Sequence, residues 1–191
     1  MKVVAIQSSP NLEGLTSSLA QATIEGVKAE GGEVELVHLN KLDIKQCIAC
    51  DEGWGKCRTE GICILEDDFE SVRMKIVEAD ALVFATPVYW HDISESAKMF
   101  LDRLRRCETF NSFKTFKGKK VIGIASAGGS GRGAVRALYN LEDYLRRLEF
   151  EVFDLVTVTQ TSKDHKLEML KKAGRYLVAK VTQPANIGQT A

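Results

Sequence analysis

Along the chain, short apolar runs alternate with longer stretches in which apolar residues recur at helical spacing. The runs are Val3–Gln7, Glu33–His38, Ala81–Thr86, Val121–Ser126 and Glu151–Val158. Between them lie Thr16–Ala29, Asp67–Ala79, Ile93–Arg106, Gly133–Leu148 and Lys163–Lys180, made largely of good helix formers. Five strand–helix units in succession predict a parallel sheet covered by helices on both faces. Val3–Ile6, Ala81–Ala85 and Val121–Ala125 are continuously apolar, as strands buried on both faces are. Glu33–His38 and Glu151–Asp154 admit charges, which suits sheet edges. The expected fold class is therefore α/β, with a doubly wound five-stranded parallel sheet of order 2-1-3-4-5 and a switch point between strands one and three. One domain is expected over residues 1–181, with a cysteine-rich loop at 45–65. The polar segment 182–191, with its Pro and Gly, reads as a flexible C-terminal tail.

Composition narrows the function. The 191 residues carry 26 Lys+Arg and 26 Asp+Glu, a formal net charge of zero. This removes the usual electrostatic case for a nucleic-acid or polybasic membrane-surface partner. The start, Met1–Ile6, runs straight into a polar loop without the apolar core of a signal peptide, and no apolar run approaches the ~20 residues that span a bilayer. A cytoplasmic chain keeps its thiols reduced, so clustered cysteines point to metal or redox chemistry before disulfides.

Ligands of such sheets bind beyond the carboxyl ends of the central strands. Three loops leave those ends. Ser8–Ser18 opens the first helix with hydroxyls and free N–H groups that suit a phosphate, although the same residues serve as ordinary helix caps. It has neither a Walker ending nor a GxGxxG fingerprint. Thr86–Asp92 sets Tyr89 and Trp90 side by side behind Pro87, able to stack on a flat ring or to meet another subunit. Ser126–Gly133 is glycine-rich, which lets backbone N–H groups approach a ligand. Together the three describe a site for a phosphorylated, flat, heteroaromatic ligand.

With these residues in view, the chain resembles the flavodoxin-like NAD(P)H-dependent FMN reductases, in particular their iron–sulfur flavoprotein branch. The resemblance covers roughly residues 1–130. It is carried by Ser8-Ser9-Pro10-Asn11 through Thr16, by Ala79-Asp80 and Thr86-Pro87-Val88-Tyr89-Trp90, by Ser96–Arg103 and by Cys63–Phe69. It implies that Ser9, Asn11, Thr16, Ser17 and Ser18 hold the FMN phosphate. Pro87, Val88, Tyr89 and Trp90, with Ala127, Gly128 and Gly129, would border the ring. It further implies NAD(P)H as cosubstrate and a homodimer or homotetramer with the flavin near the interface. Ser8, Asn11 and Leu15 stand where the family pattern has Gly, Arg and Asn, so the phosphate would rely on hydroxyls and backbone donors.

Cys47, Cys50, Cys57 and Cys63 follow the spacing Cys-x2-Cys-x6-Cys-x5-Cys. Four thiolates in one loop suit a [4Fe–4S] cluster or tetrahedral zinc, and equally free or redox-active thiols. Against the tighter run of the resembled iron–sulfur proteins, Cys57 is displaced. Cys107 stands apart and reads as a structural thiol. Glu66, Asp67 and Asp68 could suggest a cation site but read as dipole complements at the start of the second helix, and Arg103, Arg105 and Arg106 complement the dipole at the end of the third. The arginines are also candidates for a pyridine-nucleotide phosphate, and His91 for adjusting flavin protonation. His38 and His165 have no matching ligand set.

The leading expectation is an FMN-dependent oxidoreductase that accepts hydride from NAD(P)H and passes electrons to a flavin, a quinone or another small-molecule or protein acceptor. The alternative is an electron carrier with a [4Fe–4S] cluster on the Cys47–Cys63 loop. A phosphatase would need a Cys-x5-Arg loop after the first strand, and Ser8–Ser18 has neither residue. A flavin-free interaction module with a zinc-stapled loop completes the set.

Overall fold

The computed structural model describes residues 1–182. The strands are β1 (Lys2–Gln7), β2 (Glu33–His38), β3 (Ala81–Tyr89), β4 (Asp92–Ile93), β5 (Lys120–Ala127) and β6 (Glu151–Thr159). The helices are α1 (Leu15–Ala29), α2 (Lys56–Thr59), α3 (Phe69–Glu78), α4 (Glu95–Glu108), α5 (Ala134–Arg147) and α6 (Lys163–Thr182). The main sheet runs β2-β1-β3-β5-β6, all parallel, with β4 paired to β3 antiparallel. This is the expected order with one short strand added, so the fourth and fifth expected strands are β5 and β6.

The central strands are apolar on both sides because each side packs a helix layer. Val4, Ile6, Leu82, Phe84 and Val121 point to the layer of α3, α4 and α5, where they meet Val72, Ile76, Phe100, Leu101, Leu104, Leu141 and Leu145. Their neighbours Val3, Ala5, Val83, Ala85, Ile122 and Ile124 point the other way, onto Leu19, Ile24 and Val27 of α1 and Leu170 and Leu177 of α6. The alternation of one strand thus feeds two cores. In the second layer α1 and α6 touch backbone to backbone. A Cβ on Gly26 would lie 2.0 Å from the Lys171 carbonyl oxygen, and one on Gly174 2.2 Å from that of Thr23.

Two differences from the sequence reading bear on function. β3 continues through Pro87 to Tyr89 and turns back into β4, a hairpin too short for periodicity to reveal. The expected tail begins at Thr182, which ends α6; residues 183–191 lie outside the described residues. Among the described residues no helix is long and apolar enough to cross a membrane.

Candidate flavin site and cysteine pocket

The carboxyl ends of β1 and β3 are tied together by a buried hydroxyl network. The Ser8 hydroxyl donates to the Ala85 carbonyl (3.3 Å), and the Ser94 hydroxyl reaches the Ser8 hydroxyl at 2.9 Å. The Ser8 carbonyl also accepts from Ser96 (2.9 Å) and from the Asn40 amide (2.7 Å). Ser94 caps α4, its hydroxyl accepting from the Ala97 N–H, while its own N–H donates to Thr86. Sequence reasoning missed Asn40, Ser94 and Ser96 in this role. The only available signal was the serine that precedes α4 as a cap.

The loop into α1 is shaped by its own side chains. Gln7 accepts from the Ser9 N–H, the Ser9 hydroxyl accepts from the Asn11 N–H, and Asn11 accepts from the Glu13 N–H. The cap position of α1 is Gly14, which has no side chain to offer, and the first helical bond runs from Ser18 N–H to the Gly14 carbonyl. The Leu15, Thr16 and Ser17 N–H groups therefore open the helix without a side-chain cap, the arrangement that receives an anion. The hydroxyls divide. Thr16 is buried against Ser126 at 2.7 Å, tying this loop to the end of β5, and Ser18 donates to the Gly14 carbonyl. Ser9 is buried, and Ser17 is half-buried in the first turn of α1.

The second and third loops line one cleft. Its walls are Val88, Trp90 and His91 on one side and Ala127 through Arg132 on the other. Pro87 is buried in β3, Ala127 is buried at the end of β5, and Gly128 and Gly129 are exposed at the rim. Trp90 and His91 are the two central residues of the β3–β4 turn, and both are left-handed, with φ of 46° and 69°. Such a turn matches the twist of the strands but favours Asn-Gly. Here it holds two bulky residues at a conformational cost, and it leaves Trp90 95% exposed beside the cleft. Tyr89 lies beside it, its phenol pKa pushed up by burial and by Glu95.

The cysteines gather at the opposite end of α4. Cys47, Cys50, Cys57, Cys63 and also Cys107 line a single pocket, together with Ile48, Ile62, Ile64, Leu65, Arg103 and Arg106. All five are free thiols. Burial and then the proximity of Cys57, Cys47 and Cys63 raise the Cys50 pKa. Burial pushes Cys107 up to about 12. Its isolation in sequence is thus undone by the fold, which brings it into the same pocket as the other four. Among the described residues, no three side chains are already set to hold a metal ion.

Arg103 explains how the loop is held. It is 1% exposed, donates twice to Asp67 (2.5 and 3.0 Å) and also reaches the Lys45 carbonyl (2.9 Å) and the Cys63 sulfur (3.2 Å). Burial opposes its charge, but the bonds to Asp67 and Cys63 outweigh it and hold its pKa above the ordinary value. Burial likewise opposes the Asp67 charge, and the donors from Arg103, Lys45 and Phe69 outweigh it, leaving its pKa lowered. Asp67 is therefore an ion-pair partner as well as a helix-start acceptor, and Arg103 is not available to a nucleotide phosphate. Arg106 donates to the Gly53 carbonyl in the middle of the loop.

A parallel sheet of this order, with a helix N-terminus, an open cleft and a glycine loop at its switch point, defines a flavodoxin-like α/β protein. Solved structures share this fold. A flavone reductase matches all of this chain and 66% of its own at TM-score 0.75 and 16% identity. The NAD(P)H:quinone oxidoreductase from Methanothermobacter marburgensis matches 93% of this chain and 97% of its own at TM-score 0.71 and 21% identity. Residues 1–163 match the NADPH-dependent FMN reductase family, and the chain belongs to that family of oxidoreductases. An iron–sulfur flavoprotein of Methanocaldococcus jannaschii is 31% identical over 140 residues, 73% of this chain and 70% of that one. One from Archaeoglobus fulgidus is 32% identical over 69% of this chain but only 57% of its own length. A Bacillus subtilis protein named as an NAD(P)H-dependent FMN-containing oxidoreductase, YwqN, is 29% identical over 68% of this chain and 67% of its own.

Proposed function

We propose that this chain binds FMN across the ends of β1, β3 and β5, accepts hydride from NAD(P)H there, and delivers electrons to a flavin, a quinone or another small-molecule or protein acceptor. The observation that carries this reading is the uncapped start of α1 tied through Thr16 and Ser126 to the cleft of Val88, Trp90 and Gly128. The N–H groups of Leu15 to Ser17, with Ser9, Asn11 and Ser17, receive the phosphate, and the helix dipole favours its charge without any basic side chain. Thr16 and Ser18 act beside them, one locking the loop to β5 and the other bonding its own helix. Pro87, Val88, Tyr89 and Trp90 border the ring on one side, and Ala127, Gly128 and Gly129 on the other. When bound, the flavin supplies the redox chemistry; the chain supplies orientation, stacking and exclusion of water. The test is direct: protein stripped of cofactor should quench FMN fluorescence one-to-one and then support NAD(P)H oxidation. A chain that ignores added FMN refutes the reading. The exposed Trp90, Val135 and Tyr139 around the cleft favour a homodimer that closes over it, which sedimentation would detect.

A second reading is favoured by the convergence of five thiols in one pocket: an electron carrier that uses a [4Fe–4S] cluster on the Cys47–Cys63 loop beside its flavin. Cys47, Cys50, Cys57 and Cys63 would hold the cluster. Iron and sulfide analysis after anaerobic purification separates the two, since a reductase needs neither.

A further inference from the structure

The β3–β4 hairpin that carries Trp90 is too short to hold itself. Its ladder has two residue pairs, Val88 with Ile93 and Tyr89 with Asp92, and even a longer isolated hairpin is marginal in water. Its turn is strained as well, since Trp90 and His91 are both left-handed. Such strain persists only where the surroundings over-determine it. Here those surroundings come from α5.

The Asn140 side-chain amide donates to the Asp92 carboxylate at 2.9 Å, and the same oxygen accepts from the Ile93 N–H at 2.7 Å. A hydrogen bond to a charged acceptor is among the stronger ones. Seven residues before Asn140, Gly133 meets the other half of the turn. A Cβ there would lie 2.6 Å from the His91 Cα and 2.7 Å from its Cγ, so only a bare backbone lets the turn come this close. Positions seven apart lie on one face of a helix. That face of α5 grips the turn at two adjacent residues, Asp92 by a hydrogen bond and His91 by close packing. The facing wall of the cleft, Ala127 to Arg132, leads directly into the same helix at Gly133. Both walls are thus fixed to α5, and the gap between them widens only if one of these contacts breaks.

We propose that Asn140 is a positioning residue of the cleft: acting through Asp92, and with Gly133 behind His91, it holds the strained turn in place and sets the width of the gap that takes a flat ring beside Trp90. The cleft is then a preformed slot and not a lid that closes on its ligand. The ring's identity rests on the proposed flavin function, whereas the clamp is a property of the chain without cofactor.

In the full chain, Trp54→Phe leaves Trp90 as the only tryptophan. Two quantities are read in that background: the fluorescence anisotropy decay of Trp90 without cofactor, and FMN affinity from quenching of flavin fluorescence. Asn140→Asp sets a second carboxylate against Asp92. It should add nanosecond motion at Trp90 and weaken FMN binding about tenfold. Adding Asp92→Asn to it places an amide opposite a carboxylate again and should restore most of both losses, which a general loss of stability would not allow. Gly133→Ala, which has to push His91 away, should weaken FMN binding to a similar extent. Glu142→Gln, on the same helix but paired with Arg146, should change neither quantity. Thermal unfolding identifies a variant that fails to fold, and Asn140→Leu then takes the place of Asn140→Asp. Unaltered Trp90 motion, unaltered affinity in a chain that binds FMN, or no recovery in the exchanged pair overturns the proposal. A wild-type chain that ignores FMN refutes the flavin reading alone, and the Trp90 decay still decides whether α5 holds the turn.

Discussion

Replacing Trp90-His91 by Asn-Gly should make the protein more stable and a worse flavin binder. Both residues are left-handed in the β3–β4 turn, and a non-glycine residue held there costs about 1–3 kcal/mol. Trp90 is 95% exposed, so its removal sacrifices almost no buried surface. Its tilted contact with His91, at 6.0 Å between centroids, is worth about 0.5 kcal/mol, and the added glycine costs about 0.5–1 kcal/mol in chain entropy. With about 1 kcal/mol of strain relieved at each of the two residues, the balance is a gain of about 0.5–1 kcal/mol, which raises the melting temperature of a chain this size by about 1–4 °C. Thermal unfolding of the apoprotein measures the first effect, and fluorescence titration with FMN the second, where loss of the stacking face should weaken binding about tenfold. A lower melting temperature with undiminished FMN affinity would refute both the strain argument and the placement of the ring.

Gly14→Asp supplies the missing cap of α1 and sets a carboxylate where a phosphate would lie. The Asn11 side chain, 3.0 Å from the new Cβ, has to give way; stability should rise by up to about 1 kcal/mol while FMN affinity falls at least about tenfold, read by titration. Asp67→Asn leaves Arg103 buried without its counter-charge and should cost about 3–5 kcal/mol at neutral pH in chemical denaturation. Because the folded Asp67 pKa is lowered, its contribution is present above the unfolded carboxylate value of about 3.9 and is lost as pH falls through the folded one. The gap between variant and wild type should therefore close in acid. Brief alkylation of the native, metal-free chain should label the exposed Cys47 first and spare Cys107, whose thiol is buried and titrates at about 12; mass spectrometry before and after denaturation checks the order.

The sheet was legible because its signals are local and redundant. The middle of each central strand is an unbroken apolar run, and each edge strand carries carboxylates, so the order follows from which strands tolerate charge. The three ligand loops followed from that order alone. What stayed hidden depends on contacts between distant residues. Ser94 and Asn40 meet Ser8 across 86 and 32 positions, and nothing in their neighbourhoods marks them. Cys107 read as isolated because spacing along the chain says nothing about a helix that returns beneath a loop. Asp67 looked like a dipole complement, since a carboxylate at a helix start has that role by default and its buried arginine is 36 residues away. The β3–β4 turn escaped because Trp-His contradicts the residue preference by which such turns are recognised.

One helix joins the two sites. The cap of α4 belongs to the hydroxyl network under the cleft, and its final turns carry Arg103, Arg106 and Cys107 into the cysteine pocket. At 14 residues it is a strut about 21 Å long. A single residue inserted midway would rotate everything beyond it by about 100°, swinging both arginines out of the pocket while Ser94 stayed in register. The intervening loop has no such constraint, and the six residues between Cys50 and Cys57 are taken up there in short turns. Length variation among relatives should therefore concentrate in the cysteine loop, and the helix spanning both sites should keep its residue count.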